Sequence, residues 1–162
     1  PKFPPSMTLD FLLAMRASAT VEAQFPDQAN AVDSAINRTL TGMAHGGLFD
    51  QVGGGFARYS VDQHWLIPHF EKMLYDNALL LDIYSKAYQR YPKPLYRKVV
   101  EETVGWLERE MRAHGGGYHA ALDADTEGEE GKTYTWTPAE VSKASKLMAS
   151  PLGEITGKSA FM

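Results

Sequence analysis

The chain has 162 residues, 44% of them hydrophobic, enough for one ordinary domain with its own core. Its 16 Lys and Arg against 20 Asp and Glu give a net charge of −4 without any basic cluster, so nucleic acid is not an expected partner. There is no cysteine, which excludes disulfides, thiolate nucleophiles and cysteine-ligated zinc within the chain, and no apolar run approaches the roughly 20 residues that span a bilayer.

No signal peptide is visible ahead of Pro1-Lys2-Phe3-Pro4-Pro5, so a soluble, cytoplasmic protein without a membrane partner is expected. The missing initiator Met reads as the inside of a longer polypeptide or a processed end. A first helix is expected from Ser6 or Thr8, carrying Leu9, Leu12, Leu13 and Arg16, with a break at Phe25-Pro26. Asp27 is read as the N-cap of a second helix with Ala29, Val32, Ala35, Ile36, Leu40 and Met43, ending at His45-Gly46-Gly47. A glycine-rich loop or short hairpin follows over 48–60.

A third helix is expected from His69 to Tyr91, opened by Pro68 and apolar on two faces, hence buried on two sides. A fourth runs from Leu95 to Ala113 with Val99, Val100, Val104, Leu107 and Met111 on its inner stripe and charges outside. A second glycine-rich segment spans 115–132, with a short β-like run at Thr133-Tyr134-Thr135-Trp136. Thr137-Pro138-Ala139-Glu140 is a capping box that starts a fifth helix. Beyond Met148 no element is read. Ala44-His45-Gly46-Gly47 and Ala113-His114-Gly115-Gly116 echo one another at helix ends, which points to stacked helical hairpins of a solenoid or an α/α ring.

The chemistry concentrates in Pro68-His69-Phe70-Glu71-Lys72-Met73-Leu74-Tyr75-Asp76-Asn77. A helix opening there sets His69, Glu71, Lys72, Tyr75 and Asp76 on two turns, with Lys72–Asp76 and Glu71–Tyr75 at i,i+4. Desolvating so many titratable groups costs free energy unless they are paired or used. In the functional reading His69 is a general acid/base tuned by a carboxylate. In the structural one, the group anchors the glycine loops to the helix start.

In the first loop, Asp50 and Arg58 are expected to pair across a turn made by Gly53-Gly54-Gly55. Phe56 and Tyr59 are read either as a stacking wall for a sugar or as parts of a rigid hairpin that closes the mouth of the ring. The loop lacks the Lys-Ser/Thr of a phosphate-binding P-loop. Asp123-Ala124-Asp125-Thr126-Glu127-Gly128 copies the opening of a calcium loop, but Tyr134 stands where a bidentate Glu is needed. Asp123 and Asp125 stay open as acid/base carboxylates or as parts of a solvated turn, while Glu129 and Glu130 are read as structural. His45 and His114 fit helix-end capping. Trp65, Trp106 and Trp136 are residues more often of the core than of a ligand platform, and Trp65 is the one that is also read as a pocket wall. No metal site and no cofactor are expected.

Four segments resemble the YyaL / spermatogenesis-associated protein 20 family: Pro1-Lys2-Phe3-Pro4, the run 47–60, the run 68–78 and the run 121–132. The resemblance covers nearly the whole chain to about Pro138. It implies an all-α fold, an (α/α)6 toroid like the six-hairpin glycosidases and N-acylglucosamine 2-epimerases, which in the family follows a thioredoxin-like domain. A complete ring of six hairpins has about twelve helices and five are read here. Residues 1–162 are therefore expected to form a single, incomplete toroid domain of two to three hairpins, with short β-like loop hairpins and without the thioredoxin-like domain. Its exposed hairpin faces predict self-association.

The function implied is a carbohydrate-active module, a sugar epimerase/isomerase or glycosidase relative. His69, Glu71, Asp76, Asp123 and Asp125 are the catalytic candidates. Asp50, Arg58, Tyr59, Trp65 and Tyr75 are the substrate-binding ones. The alternative is a non-catalytic helical platform that partners the thioredoxin-like domain.

Overall fold

Helices carry most of the chain. In the computed structural model, which describes residues 1–148, they are α1 (Ser6–Ala17), α2 (Ala19–Gln24), α3 (Pro26–His45), α4 (Leu74–Arg90), α5 (Pro94–Trp106) and α6 (Pro138–Met148). Three two-stranded antiparallel ladders join them. They pair β1 (Tyr59–Ser60) with β2 (Pro68–His69), β3 (Lys72–Met73) with β4 (Ala121–Leu122), and β5 (Asp125–Thr126) with β6 (Glu129–Glu130). The fold is thus mostly helical with short strand hairpins in its loops. No helix among the described residues is long and apolar enough to cross a membrane. The stretch 151–162 lies outside the described residues.

The expected first helix is divided. Ser18 is extended and its hydroxyl accepts from the Val21 N–H, so a serine cap starts a new helix between α1 and α2. The break at Phe25-Pro26 is where it was expected, but α3 begins with Pro26 itself, and Asp27 lies in its first turn rather than at the N-cap. There its charge favours the helix dipole. The capping box ahead of α6 is formed: Glu140 accepts from the Thr137 N–H at 2.7 Å and Thr137 Oγ1 accepts from the Glu140 N–H at 3.3 Å. The β-like run 133–136 is instead a turn leading into that box.

α4 packs lengthwise on α5, and α1 packs on both α3 and α4. The core between them holds Leu9, Leu13, Ile36, Leu40, Met43, Leu80, Ile83, Tyr84, Tyr96 and Val99. Each such side chain contributes about 1.5–3 kcal/mol by leaving water. Buried phenols keep a partner: Tyr84 donates to the Leu40 carbonyl at 2.7 Å and Tyr96 to Asn37 Oδ1 at 2.8 Å. On α5 the buried face is Tyr96, Val99, Thr103 and Trp106, and Val104, expected inside, is exposed. The helix then widens into one π turn, Leu107–Met111, so that Met111, five residues beyond Trp106, is buried too.

The loop after α3 lies flat on α5. Gly54 and Gly55 both have φ +79, and a Cβ would stand 2.4 Å from the Glu102 carbonyl oxygen at Gly54 and 2.7 Å from the Trp106 ring at Gly55. Only glycine meets both demands. The two Ala-His-Gly-Gly copies are not equivalent in packing. A Cβ at Gly46 would strike the Trp65 carbonyl oxygen, whereas Gly115 and Gly116 face open space.

Candidate functional site

The motif 68–73 is extended, not helical. β1 and β4 recruit it from both ends. Tyr59 pairs with His69 and Lys72 with Leu122, and the Arg58 N–H donates to the Glu71 carbonyl at 2.8 Å. The helix starts only at Leu74. This corrects the placing of His69, Glu71 and Lys72 on helical turns. Their side chains alternate with period two instead. His69 and Glu71 go to one face, while Pro68, Phe70 and Lys72 line a cleft on the other.

On the first face the structure gathers Arg58, Tyr59, His69, Glu71, Tyr75 and Asp76. Arg58 Nη1 donates to Glu71 Oε2 at 2.9 Å, Arg58 Nη2 donates to the Tyr75 hydroxyl at 3.1 Å, and Arg58 Nε lies 4.0 Å from Asp76 Oδ2. The His69 ring stacks on Tyr59 with centroids 4.7 Å apart. Its Nε2 is 3.9 Å from Glu71 Oε2 and its Nδ1 is 2.6 Å from Glu130 Oε1. The Glu71–Tyr75 pair expected at i,i+4 is thus replaced by two bonds through Arg58. Glu130, read as a structural residue of the acidic turn, belongs to this cluster. The signal for it was the Glu127-Gly128 pair. With φ of 56 and 80 it makes a tight turn of the primed kind, which folds β6 back beside β5 and His69.

Asp76 is the unusual member. Burial pushes its carboxyl up, Arg58 works against this and Glu71 adds to it, leaving it above the ordinary carboxylate value. Its Oδ2 and Arg58 Nε are buried and make no hydrogen bond. Tyr75 beside them is half-exposed, so the face opens to solvent on that side.

On the second face Lys72 is buried and donates to Asp50 Oδ2 at 2.7 Å and to the Gly54 carbonyl at 2.9 Å. Its ammonium stands 5.3 Å from the Trp106 ring centre and 5.1 Å from that of Tyr134. Asp50 therefore pairs with Lys72 and not with Arg58, and Lys72 does not pair with Asp76. The glycine turn explains this: Asp50 Oδ1 accepts from the Val52 and Gly53 N–H groups, which points the other oxygen inward. Burial pushes the Asp50 carboxyl up, but Lys72 and the two N–H donors outweigh it and hold the group below its usual value. Burial also draws the Lys72 amine down by more than Asp50 raises it. The cleft measures about 290 Å³ and includes Gly47, Phe49, Gln51, Phe70 and Tyr134 among its walls.

Two aromatic candidates turn inward. Phe56 is fully buried against Phe49 and Tyr84, so it is core and not a sugar wall. Trp65 is also buried, in a left-handed backbone conformation, with the Lys2 ammonium 3.9 Å above its ring. Asp62, not singled out in the sequence, holds that turn by accepting from the His64, Leu66 and Ile67 N–H groups. Local desolvation works upward on its carboxyl, but these donors and Ser60 outweigh it and hold it at about 2. Asp123 and Asp125 are exposed, and Asp123 Oδ1 accepts from the Asp125 N–H in a turn of their own. Neither makes a hydrogen bond or ion pair to the cluster.

Fold and site define a helical-hairpin protein whose glycine-rich loops carry a partly open acid–base cluster on one side of a short strand and a lysine-floored cleft on the other. Over the segment it spans, the chain belongs to the spermatogenesis-associated protein 20 family. It is 39% identical over 159 residues to spermatogenesis-associated protein 20 of Rattus norvegicus, covering 94% of this chain and 19% of the relative. Identity to the Homo sapiens protein is 40% over 149 residues, 88% of this chain and 18% of the relative. An uncharacterised protein of Caenorhabditis elegans is 38% identical over 128 residues, 78% of this chain and 17% of its own length. The chain thus spans about a fifth of the length of the curated relatives it matches. No family model matches it.

Proposed function

We propose that this segment is part of a carbohydrate-active module, a relative of sugar epimerases, isomerases or glycosidases built on an (α/α)6 toroid. The closely packed α4–α5 pair, joined by a short connection, and the long structured loops between helices support that architecture. In this reading Asp76 acts as an acid, His69 exchanges a proton with Glu71 or Glu130, Arg58 orients the carboxylates, and Tyr59 and Tyr75 flank the sugar ring. The observation that carries it is Asp76: a carboxyl raised by burial, with one buried oxygen that makes no hydrogen bond, at the edge of an open polar face. A carboxyl raised by burial is the usual proton donor to a leaving group in sugar chemistry. Exposed Met7, Phe11 and Leu79 support self-association through the hairpin faces.

The test is a thermal-shift screen of the full-length rat relative and of this chain against monosaccharides and their N-acetyl and phosphorylated forms. A sugar is expected to raise the midpoint of the relative. The substitution corresponding to Asp76→Asn is expected to lower turnover of that sugar about 100-fold, the scale of a lost general acid. If no sugar shifts either protein, the carbohydrate reading fails.

A second reading rests on a different observation. Lys72, Asp50 and Asn77 are spent on bracing the glycine loop against β3 and α4. A motif whose inner half is all brace fits a non-catalytic platform that presents partners to a thioredoxin-like domain. Cooperative unfolding with no sugar response is the result expected from it.

A further inference from the structure

Lys72 is the only lysine buried among the described residues, and the acid–base face makes no use of it. Three features set it apart from an ordinary brace. It lines a cleft of about 290 Å³ together with Asp50 and Tyr134, near the lower size limit of small-molecule pockets. A carboxylate stands within proton-transfer distance of its ammonium, at 2.7 Å. The phenol of half-buried Tyr134 lies on the same wall and makes no hydrogen bond among the described residues. Arginine, with its planar fork and fixed charge, is the residue suited to a purely structural buried ion pair. Lysine in that place keeps an amine that deprotonates.

We propose that Lys72 is an imine-forming lysine and that the cleft takes small aldehydes and ketones. Asp50 accepts a proton from the ammonium, and the amine lone pair forms a C–N bond to the carbonyl carbon as the C=O π pair moves to oxygen. One nitrogen proton passes to that oxygen to give the carbinolamine. Asp50 returns its proton, the C–O bond breaks, water leaves and a C=N⁺ iminium remains. The ammonium charge is replaced by the iminium charge, so Asp50 keeps a counter-ion and the buried site suffers no net change in charge. Phe49 and Phe70 supply the apolar walls. A dianionic substrate is disfavoured, because Asp50 and Glu110 both act on Tyr134 through their negative charge. This inference is independent of the sugar chemistry assigned to the His69 face.

The experiment uses the unaltered chain. It is incubated with dihydroxyacetone and cyanoborohydride, which reduces the iminium to a stable secondary amine, and the modified lysines are mapped by peptide mass spectrometry. Lys72 is expected to carry the adduct at higher occupancy than exposed Lys86, Lys93, Lys98 and Lys132, and to react down to lower pH than they do. Each unit by which an amine's pKa falls raises its neutral fraction at neutral pH about tenfold. Adducts confined to the exposed lysines, or a Lys72 pH profile identical to theirs, would overturn the proposal. In Asp50→Asn the rate at Lys72 is expected to fall while exposed lysines are unaffected. If that variant does not fold, the two readouts on the unaltered chain decide alone.

Discussion

Asn77 ties the glycine loop to α4. It is fully buried, its Oδ1 accepts from the Phe56 N–H at 2.7 Å, and its Nδ2 donates to the Phe56 carbonyl at 2.9 Å and to the Met73 carbonyl at 2.9 Å. Asn77→Ala strips both backbone groups of Phe56 of a partner in a place water does not reach. Each orphaned group costs about 1–3 kcal/mol, so the pair costs about 2–6 kcal/mol. The Met73 carbonyl adds little, because as the N-cap carbonyl of α4 it already accepts a helical bond. Against a total of about 5–15 kcal/mol for a native protein, this takes a large share of the stability. At about 2–4 °C per kcal/mol, a loss of 4 kcal/mol, roughly the middle of that range, lowers the melting midpoint by about 8–16 °C. Urea unfolding followed by far-UV circular dichroism measures it, with the midpoint falling and the slope unchanged. Asn77→Asp sharpens the test, since it keeps the acceptor for the N–H but sets an oxygen against the Phe56 carbonyl. Its loss is expected to be as large at neutral pH and to shrink in acid, where a protonated carboxyl donates again. A loss below about 1 kcal/mol for the alanine variant refutes the account of the loop as a hydrogen-bonded plug.

Two further outcomes follow from the same region. Gly55→Ala is expected to cost at least about 2 kcal/mol, because a positive φ and a Cβ 2.7 Å from the Trp106 ring both oppose it, while Gly115→Ala, in open space, is expected to change stability by less than about 1 kcal/mol. Comparable urea midpoints for the two would contradict this. Asp50, whose folded carboxyl is held below its unfolded value of 3.8, contributes stability that is present above that value and lost as pH falls through the lower folded one. Asp76 and Glu102, both raised chiefly by burial, act with the opposite sign and are relieved as they protonate. Asp50→Asn is therefore expected to cost about 3–5 kcal/mol at neutral pH, as removing one partner of a buried pair does, and to flatten the fall in stability below about pH 4. An unchanged acid limb in that variant would show that Asp50 is not its source.

The helices were legible because their signals are local. The buried residues of α3 are the ones its period requires, and the box at Thr137–Glu140 forms atom for atom. What escaped was set by tertiary partners. The run 68–73 contains nothing that forbids a helix, and its apolar spacing continues smoothly into α4. It is extended because residues 59–60 and 121–122, distant in sequence, supply ladder partners on either side. The inward turn of Phe56 and Trp65 was hidden for a related reason. Phe56, beside glycines, reads as exposed until the surface those glycines press against, α5, is known, and Trp65 is buried by a contact remote in sequence, against Gly42 and Gly46 at the end of α3. Of the group read together on one helix, His69, Glu71, Tyr75 and Asp76 stay close in the extended form, while Lys72 leaves for Asp50, and Arg58, expected to pair with Asp50, takes its place. Their pairing did not survive the change of secondary structure.

One short strand therefore separates two chemistries. Along Pro68-His69-Phe70-Glu71-Lys72, odd and even positions face opposite ways, so a titratable histidine and a carboxylate reach an open face while a lysine is sent into the cleft. A slip of one residue would exchange them, placing His69 and Glu71 in the cleft and Lys72 among Arg58 and Tyr75. The slipped state would bury an unpaired carboxylate and set two cations together, each unfavourable. Register is pinned against this from both sides, by Tyr59 opposite His69 and by Leu122 opposite Lys72. The Asp50–Lys72 bond and the Arg58–Glu71 bond each fit one register only. The brace and the open face are therefore one device: the ion pair that looks purely structural is what holds His69 and Glu71 on the side that opens to solvent.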